Sequence, residues 1–344
     1  DVKWDEMTIP STLARAATLW PDVSALEDGD QHFTFSSLAA EVERASRAFI
    51  AAGVERGDRV AIWAPNGWRW EVAALGLQCA GGVLVTLNTR FKASEAAYVL
   101  EKSGAKLLFT MGDFLGMNYA DAVAAQDLPD LEATILIEGE SGSAESWEAF
   151  FARGEAVTPE AAQARADEVT PDDLSDFIFT SGTTGSPKAV MTAHGQNLKV
   201  FDVWGKSVGL RAGDRYLIIM PFFHSFGYKS GWLACIIHGA TALPEAVFDV
   251  GPALERIHTT RFSRSPSVMG SAACTRWPRC STPCPTSPHA WKSCGPPAAP
   301  SKASSPPLNA WPKLTLSVTS ALSKCGESCS SSPSRYRTTN ALWW

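Results

Sequence analysis

The feature that most constrains this chain is an alternation of short apolar runs with longer amphipathic stretches, sustained to residue 262 and then lost. The runs at 59–64, 83–87, 106–109, 133–137 and 176–180 are short and rich in Val, Ile, Leu and Phe, the pattern of strands buried on both faces. Between them apolar residues recur at helical spacing. Leu38, Ala39, Val42, Ala45 and Phe49 share one face of a helix that Ser36 is placed to cap. Gly53 is placed to close that helix, and Gly57 with Asp58 to turn the chain into the next run. Parallel strands need crossover connections and helices supply them, so the alternation predicts an α/β fold with a largely parallel sheet. Further helices are predicted over 67–80, 94–102, up to about 125, 147–151, 195–208, 230–237 and 250–258, and further strands over 33–35, 216–220 and 241–243. Residues 154–175 are polar, contain Pro159 and Pro171, and read as a surface loop.

The charge balance breaks where the periodicity does. Residues 1–262 hold 21 Lys and Arg against 35 Asp and Glu, a net charge of -14; residues 263–344 hold 9 basic side chains and one acid, Glu327, a net charge of +8. The last 82 residues also contain 12 of the 22 Pro and six of the eight Cys, so the two stretches are not one kind of polypeptide. Cys274, Cys280, Cys284, Cys294, Cys325 and Cys329 with His289 lack the paired Cys-x-x-Cys units of zinc sites. Nine positive charges over 82 residues form no dense cluster for nucleic acid. A Ser, Pro, Arg, Cys and Trp bias with almost no acids is what an out-of-frame reading of GC-rich coding DNA produces. The expectation is therefore an irregular, disordered tail that follows a frameshift near codons 262–265. The chain begins at Asp1 rather than Met, which reads as a fragment boundary, and its charged start is no secretory signal. No uncharged apolar run reaches the roughly 18 residues of a membrane-spanning helix, and a cytoplasmic location is expected.

Chemistry concentrates after the run at 176–180. The string Thr180, Ser181, Gly182, Thr183, Thr184, Gly185, Ser186, Pro187, Lys188 places two Gly, five hydroxyls and a Lys in one loop. Gly182 and Gly185 permit close backbone approach, so consecutive N–H groups can face phosphate oxygens, while the hydroxyls add donors and Lys188 a point charge. The spacing G-x-x-G-x-x-K differs from the G-x-x-x-x-G-K-[ST] of a Walker A loop.

This string resembles the phosphate-binding signature of the adenylate-forming superfamily, which includes acyl-CoA synthetases, luciferases and peptide-synthetase adenylation domains. The Gly usual after the Lys is Ala189 here. Phe222, Phe223, His224, Ser225, Phe226 and Gly227 resemble the segment lining the acyl pocket, with His224 beside the site of carboxylate activation. Alone, a His among aromatics reads as a packed core residue; the loop upstream favours the pocket. Leu87, Asn88, Thr89, Arg90 and Phe91 resemble an early signature of the same superfamily, with a structural role. The resemblance runs from about residue 8 to residue 262. Within the superfamily, 87–92 and 222–230 are most similar to actinobacterial fatty-acid-type CoA ligases acting on a steroid-derived propanoate, with medium- and long-chain fatty acyl-CoA ligases as neighbours.

The resemblance implies a two-step ligase that joins a carboxylic acid to AMP with release of pyrophosphate, then transfers the acyl group to CoA. It implies catalytic roles for His224 and Lys188, phosphate binding by Thr180, Ser181, Gly182, Thr183, Thr184, Gly185 and Lys188, and use of ATP, Mg2+ and CoA. No metal-ligating residue is assigned: the superfamily's later Tyr-Gly-x-Thr-Glu string, whose carboxylate meets Mg2+, does not occur after residue 262. The implied architecture is a partial adenylation domain over 1–262, layered mostly parallel sheets with helices, followed by an aberrant tail over 263–344, with the C-terminal lid domain absent. On that map the chain is expected to be incomplete and inactive as written. A non-catalytic ATP- or acyl-binding remnant, or an adenylation domain that loads a carrier protein, stand as alternatives.

Overall fold

The computed structural model describes residues 2–180 and 187–259; the expectations for the tail over 263–344, and Ser181 to Ser186 of the loop, lie outside the described residues. From the N-terminus come α1 (Ile9–Leu19), the strands β1 (Ser24–Asp28) and β2 (Gln31–Thr34), and α2 (Phe35–Ala51). An alternating run follows: β3 (Arg59–Trp63), α3 (Trp68–Cys79), β4 (Val83–Thr86), α4 (Ala93–Ser103) and β5 (Ala105–Met111). A small hairpin of β6 (Asp113–Phe114) and β7 (Met117–Asn118) leads to α5 (Tyr119–Ala124), β8 (Ala133–Glu138), β9 (Glu145–Ser146), α6 (Trp147–Ala152) and α7 (Pro159–Asp167). The last described elements are β10 (Leu174–Thr180), β11 (Lys188–Ala193), α8 (His194–Val208), β12 (Arg215–Ile218), α9 (Ser225–Gly227), α10 (Ala234–His238), β13 (Thr241–Pro244) and α11 (Val250–Thr259).

Seven strands form one sheet in the order β11-β10-β4-β3-β5-β8-β9. Every neighbouring pair in it is parallel except β10 with β11. The central strands are buried along almost their whole length, which explains why they read as unbroken apolar runs. A second sheet, ordered β12-β13-β1-β2, is parallel across β12, β13 and β1 and antiparallel at β2. The mostly parallel α/β architecture expected from the alternation is the one observed.

Helix α3 is buried all round, from Trp70 to Gln78, so it shows no polar face. It lies so close to α2 that a Cβ on Gly76 would stand 2.4 Å from Ala45 Cβ, which makes glycine obligatory there. Behind the large sheet, Phe49 packs on Phe109 and Phe150 with ring centroids 5.2 Å away in each case.

Three expectations need correction. Thr34, not Ser36, caps α2: its hydroxyl accepts from Ser37 N, and Ser37 Oγ accepts from Thr34 N, a reciprocal capping box. The stretch 154–175 is not one loop but contains α7, started by Thr158 accepting from Ala161 N at 3.2 Å and by Pro159 in the first turn. Only Ala162 of α7 is buried, so the helix lacks the apolar stripe that reveals helices in sequence. The helix placed over 230–237 begins earlier, as a wide π-type turn at Tyr228–Leu233 that runs into α10. No described helix is long and apolar enough to cross a membrane.

Candidate functional site

The candidate residues gather where the parallel strands end. In open α/β sheets the carboxyl ends of the strands form the natural crevice, because the chain leaves each strand there in a loop. Asn66, three residues beyond β3, accepts from Phe222 N at 2.6 Å and donates Nδ2 to Met220 O at 2.9 Å. Thr86, the last residue of β4, donates its hydroxyl to Phe223 O at 2.9 Å. Two strand ends thus hold the backbone of the segment that carries His224. Gly227 closes that segment: a Cβ there would stand 2.2 Å from Pro221 O, so the chain can fold back only without a side chain. At the same end of the sheet, Trp63 donates its indole N–H to Asn88 O at 2.9 Å, and the Tyr119 hydroxyl bonds Thr89 O. The early signature at 87–91 therefore serves as a braced strand exit.

The phosphate string falls on a hairpin. Thr180, the last residue of β10, pairs with Lys188, the first of β11, and its hydroxyl donates to Lys188 O at 3.4 Å. Ser181, Gly182, Thr183, Thr184 and Gly185 lie outside the described residues. The two ends of their loop are fixed, however, and Ile178 of β10 pairs with Thr86 of β4. The hairpin thus leaves the sheet beside the residue that holds Phe223. Lys188 is exposed and has no ion pair among the described residues.

The pocket string divides. Phe222 is fully buried, edge-on to Trp70 at 5.3 Å and to Trp232 at 6.4 Å, so it packs the interior instead of lining a rim. Phe223 and Ser225 are half-buried, while Phe226 is exposed and sits edge-on to Trp204 at 5.4 Å. His224 is exposed, and partial desolvation of the ring holds its pKa below the ordinary imidazole value. Its Nδ1 accepts from Phe226 N at 3.2 Å, which leaves the proton of the neutral ring on Nε2 as a donor.

Sequence reading missed the residues that hold this rim: Asn66, Thr86, Asp176 and Lys229. The last two carried a signal. Lys229 is the lone charge in the apolar stretch 226–237, and Asp176 the lone acid in the run 176–180, and a charge so placed is buried only with a partner. Lys229 Nζ lies 2.7 Å from Asp176 Oδ1, with side chains 4% and 0% exposed. Among the described residues no group of three or more His, Cys, Asp or Glu side chains could hold a metal ion. The described residues thus offer no all-protein cage for a metal, and Mg2+ is ordinarily held by one or two carboxylates together with the phosphates of a nucleotide.

The site is thus a crevice at the carboxyl ends of parallel α/β strands, where the hairpin base of Thr180 and Lys188 and the segment carrying His224 both emerge. The family described as AMP-binding enzyme matches residues 13–271, and the chain belongs to that family. The chain is 41% identical over 267 residues to the 3-((3aS,4S,7aS)-7a-methyl-1,5-dioxo-octahydro-1H-inden-4-yl)propanoyl:CoA ligase of Rhodococcus jostii RHA1, covering 76% of this chain and 52% of that protein. To the ligase of the same name from Mycobacterium tuberculosis H37Rv it is 44% identical over 262 residues, covering 76% and 51%. Among solved structures, the inhibitor-bound N-terminal domain of FACL13 from Mycobacterium tuberculosis superposes with a TM-score of 0.63 at 26% identity, over 73% of this chain and 60% of that one. The chain spans about half the length of the curated relatives it matches.

Proposed function

We propose that this chain supplies the phosphate-gripping and acyl-facing parts of an ATP-dependent acyl-CoA ligase whose acid is a bicyclic, steroid-derived propanoate. The supporting observation is the shared rim, on which Thr180 and Lys188 emerge beside the strand end that holds the His224 segment. In the first step a carboxylate oxygen attacks the α-phosphorus of ATP. The bond from that phosphorus to the bridging oxygen breaks, and pyrophosphate leaves. Lys188 and the loop donors would neutralise charge on the β- and γ-phosphates, which is the main help a protein can give to such a displacement. Nε2–H of His224 would donate to an oxygen at the reacting centre. In the second step the CoA thiolate attacks the acyl carbon and AMP leaves. The acid class rests on the names of the two bacterial relatives and on the sequences at 87–92 and 222–230; medium- and long-chain fatty acids are the competitors.

A second reading is an ATP- or acyl-binding module without turnover. One experiment separates the two: ATP binding by calorimetry and acid-dependent ATP–pyrophosphate exchange, on the chain and on Lys188→Ala. The ligase reading expects the substitution to weaken ATP binding about tenfold, the worth of one charge-assisted contact, and to lower whatever exchange the chain supports. ATP binding that is identical in Lys188→Ala removes the phosphate role. Binding without exchange gives the second reading the lead.

A further inference from the structure

At the other end of the large sheet, where β4 and β10 begin, α1, α2, α3 and α7 border a cavity of about 430 Å³. Its walls include Leu13 of α1, Val42 and Ser46 of α2, Cys79 at the end of α3, Ala162 of α7, and Val169, which precedes β10. Strand β10 rises from Leu174 to Thr180, so about 20 Å of strand separates this cavity from the rim that carries Thr180. Protein interiors are close-packed, so a space of this size needs a cause. Helix α7 supplies it: Ala162 and Ala166 face the cavity, methyl groups where larger side chains would meet α1 and α2.

Within these walls one hydroxyl is unanswered. Ser46 is 1% exposed, and its Oγ has no hydrogen-bond partner among the described residues. A serine inside a helix can return its proton to the carbonyl four residues back, as Ser103 does to Val99 O at 2.7 Å; Ser46 does not. A buried hydroxyl without a partner is costly, and a ligand that accepts from it removes that cost. Polar side chains elsewhere in the lining are engaged: Thr8 with Ser11 in the box that caps α1, Glu43 with Arg47 at 3.4 Å, and Gln163 with Asp167 at 2.8 Å. Cys79 presents some surface to the cavity, yet burial in the surrounding protein pushes its thiol up to about 12, so it stays neutral and is at most a weak donor. The charged groups of the lining, Glu6, Glu43 and Asp167, are all acids, which disfavours an anion.

We propose that this cavity is a second binding site, for a small, neutral, mostly apolar molecule whose carbonyl oxygen accepts from the Ser46 hydroxyl. The site is independent of the ligase reading, because its acids disfavour the carboxylates and phosphates which that reading places at the rim. The test is an NMR titration of the full chain, labelled at its alanine methyls, with cyclohexanone as the probe. Methylenecyclohexane, of the same shape without the oxygen, and cyclohexanecarboxylate serve as comparisons. Cyclohexanone is expected to shift the Ala162 and Ala166 methyls to saturation, and the carboxylate to leave them unmoved. Ser46→Ala removes an unpaired hydroxyl, so it should not lower the melting temperature followed by circular dichroism. It should weaken cyclohexanone about fivefold, the worth of one neutral hydrogen bond, and leave methylenecyclohexane unchanged. Ala162→Leu fills the space and should abolish the shift at Ala166; should that variant not fold, Ala166→Leu is read at Ala162 instead. Shifts that do not saturate, a carboxylate that binds as well as the ketone, equal ketone affinity in Ser46→Ala, or a shift that survives the filling variant each overturn the site. Displacement of the ketone by ATP would place it at the rim and overturn the site as well. A chain that fails to bind ATP but passes these tests loses the ligase reading and keeps this one.

Discussion

The ring cluster of Phe49, Phe109 and Phe150 and the charged seam of Asp176 and Lys229 are buried to the same degree and made of opposite chemistry. In the cluster, centroids stand 5.0 to 5.2 Å apart at interplanar angles from 47° to 89°, so no single orientation is demanded. Its contribution follows the apolar area removed from water. In the seam each contact fixes a direction as well as a distance, and one lost partner leaves a charge without water. The first kind of burial holds the domain together. The second ties β10 and β11 to the segment that follows His224.

The largest effects should come from damaging each region singly, and the comparison breaks if they respond alike. Phe109→Ala is expected to lower stability by about 3–5 kcal/mol through lost transfer energy and a residual cavity. Lys229→Met alone should cost about 3–5 kcal/mol as well, because Asp176 is left charged and buried. Adding Asp176→Asn to Lys229→Met should recover most of that loss. Adding Phe49→Ala to Phe109→Ala should deepen it. Denaturant midpoints measure all four variants, and a charged pair that shows no recovery would mean the seam is ordinary packing.

Glu71 tests the comparison from between, as a carboxyl placed in apolar surroundings on α3. Its Oε2 has no hydrogen-bond partner among the described residues. Burial, helped by the charge of Asp28, pushes its pKa from 4.5 to about 8. The folded state then keeps a proton that the unfolded state releases above about pH 4.5. The associated stability is full at low pH and is lost as pH rises toward 8, by up to about 1.4 kcal/mol per pH unit. His194, whose pKa burial pushes down to about 4, acts oppositely, with stability gained as pH rises toward 6.5. Between pH 4.5 and 6.5 the two offset each other; from 6.5 to 8 Glu71 acts unopposed by His194. Wild type should lose melting temperature relative to Glu71→Gln steadily from pH 4.5 to 8, while its own profile falls most steeply above pH 6.5, where His194 no longer compensates. Parallel profiles for the two proteins would refute the protonated carboxyl.

How much of this was legible follows from the same contrast. Strands β3, β4, β5, β8 and β10 were readable because burial on both faces leaves continuous apolar runs. Strands β1 and β11 were not: β1 mixes buried Ala25 and Leu26 with half-buried acids, and β11 is a sheet edge with Met191 exposed. Thr180 and Lys188 stood out because the string they bound concentrates Gly, hydroxyls and a Lys in adjacent residues. Asn66, Thr86, Asp176 and Lys229 act on partners 53 to 156 residues away, across contacts that no local pattern records. Phe222 was read into the pocket with its neighbours, yet the bonds from Asn66 and Thr86 turn it inward onto Trp70.

The smallest effect concerns the start of α2, where neither buried region intervenes. Sequence reading favoured Ser36 as the cap because it directly precedes the apolar stripe. The structure uses Thr34, since Phe35 is itself fully buried and helical, which moves the first turn back by two residues. The Thr34 hydroxyl satisfies Ser37 N at 3.2 Å, an amide with no partner within the helix. Ser36 side-chain oxygen has no such duty, and its own amide already bonds Pro21 O. Thr34→Ala should therefore cost about 1 kcal/mol. In a domain of this size that lowers the melting temperature by about 2–4 °C, while Ser36→Ala should leave it unchanged. Equal shifts for the two would return the cap to Ser36; a shift at Thr34 alone shows that a local hydroxyl, worth a fraction of either buried region, still sets where a helix begins.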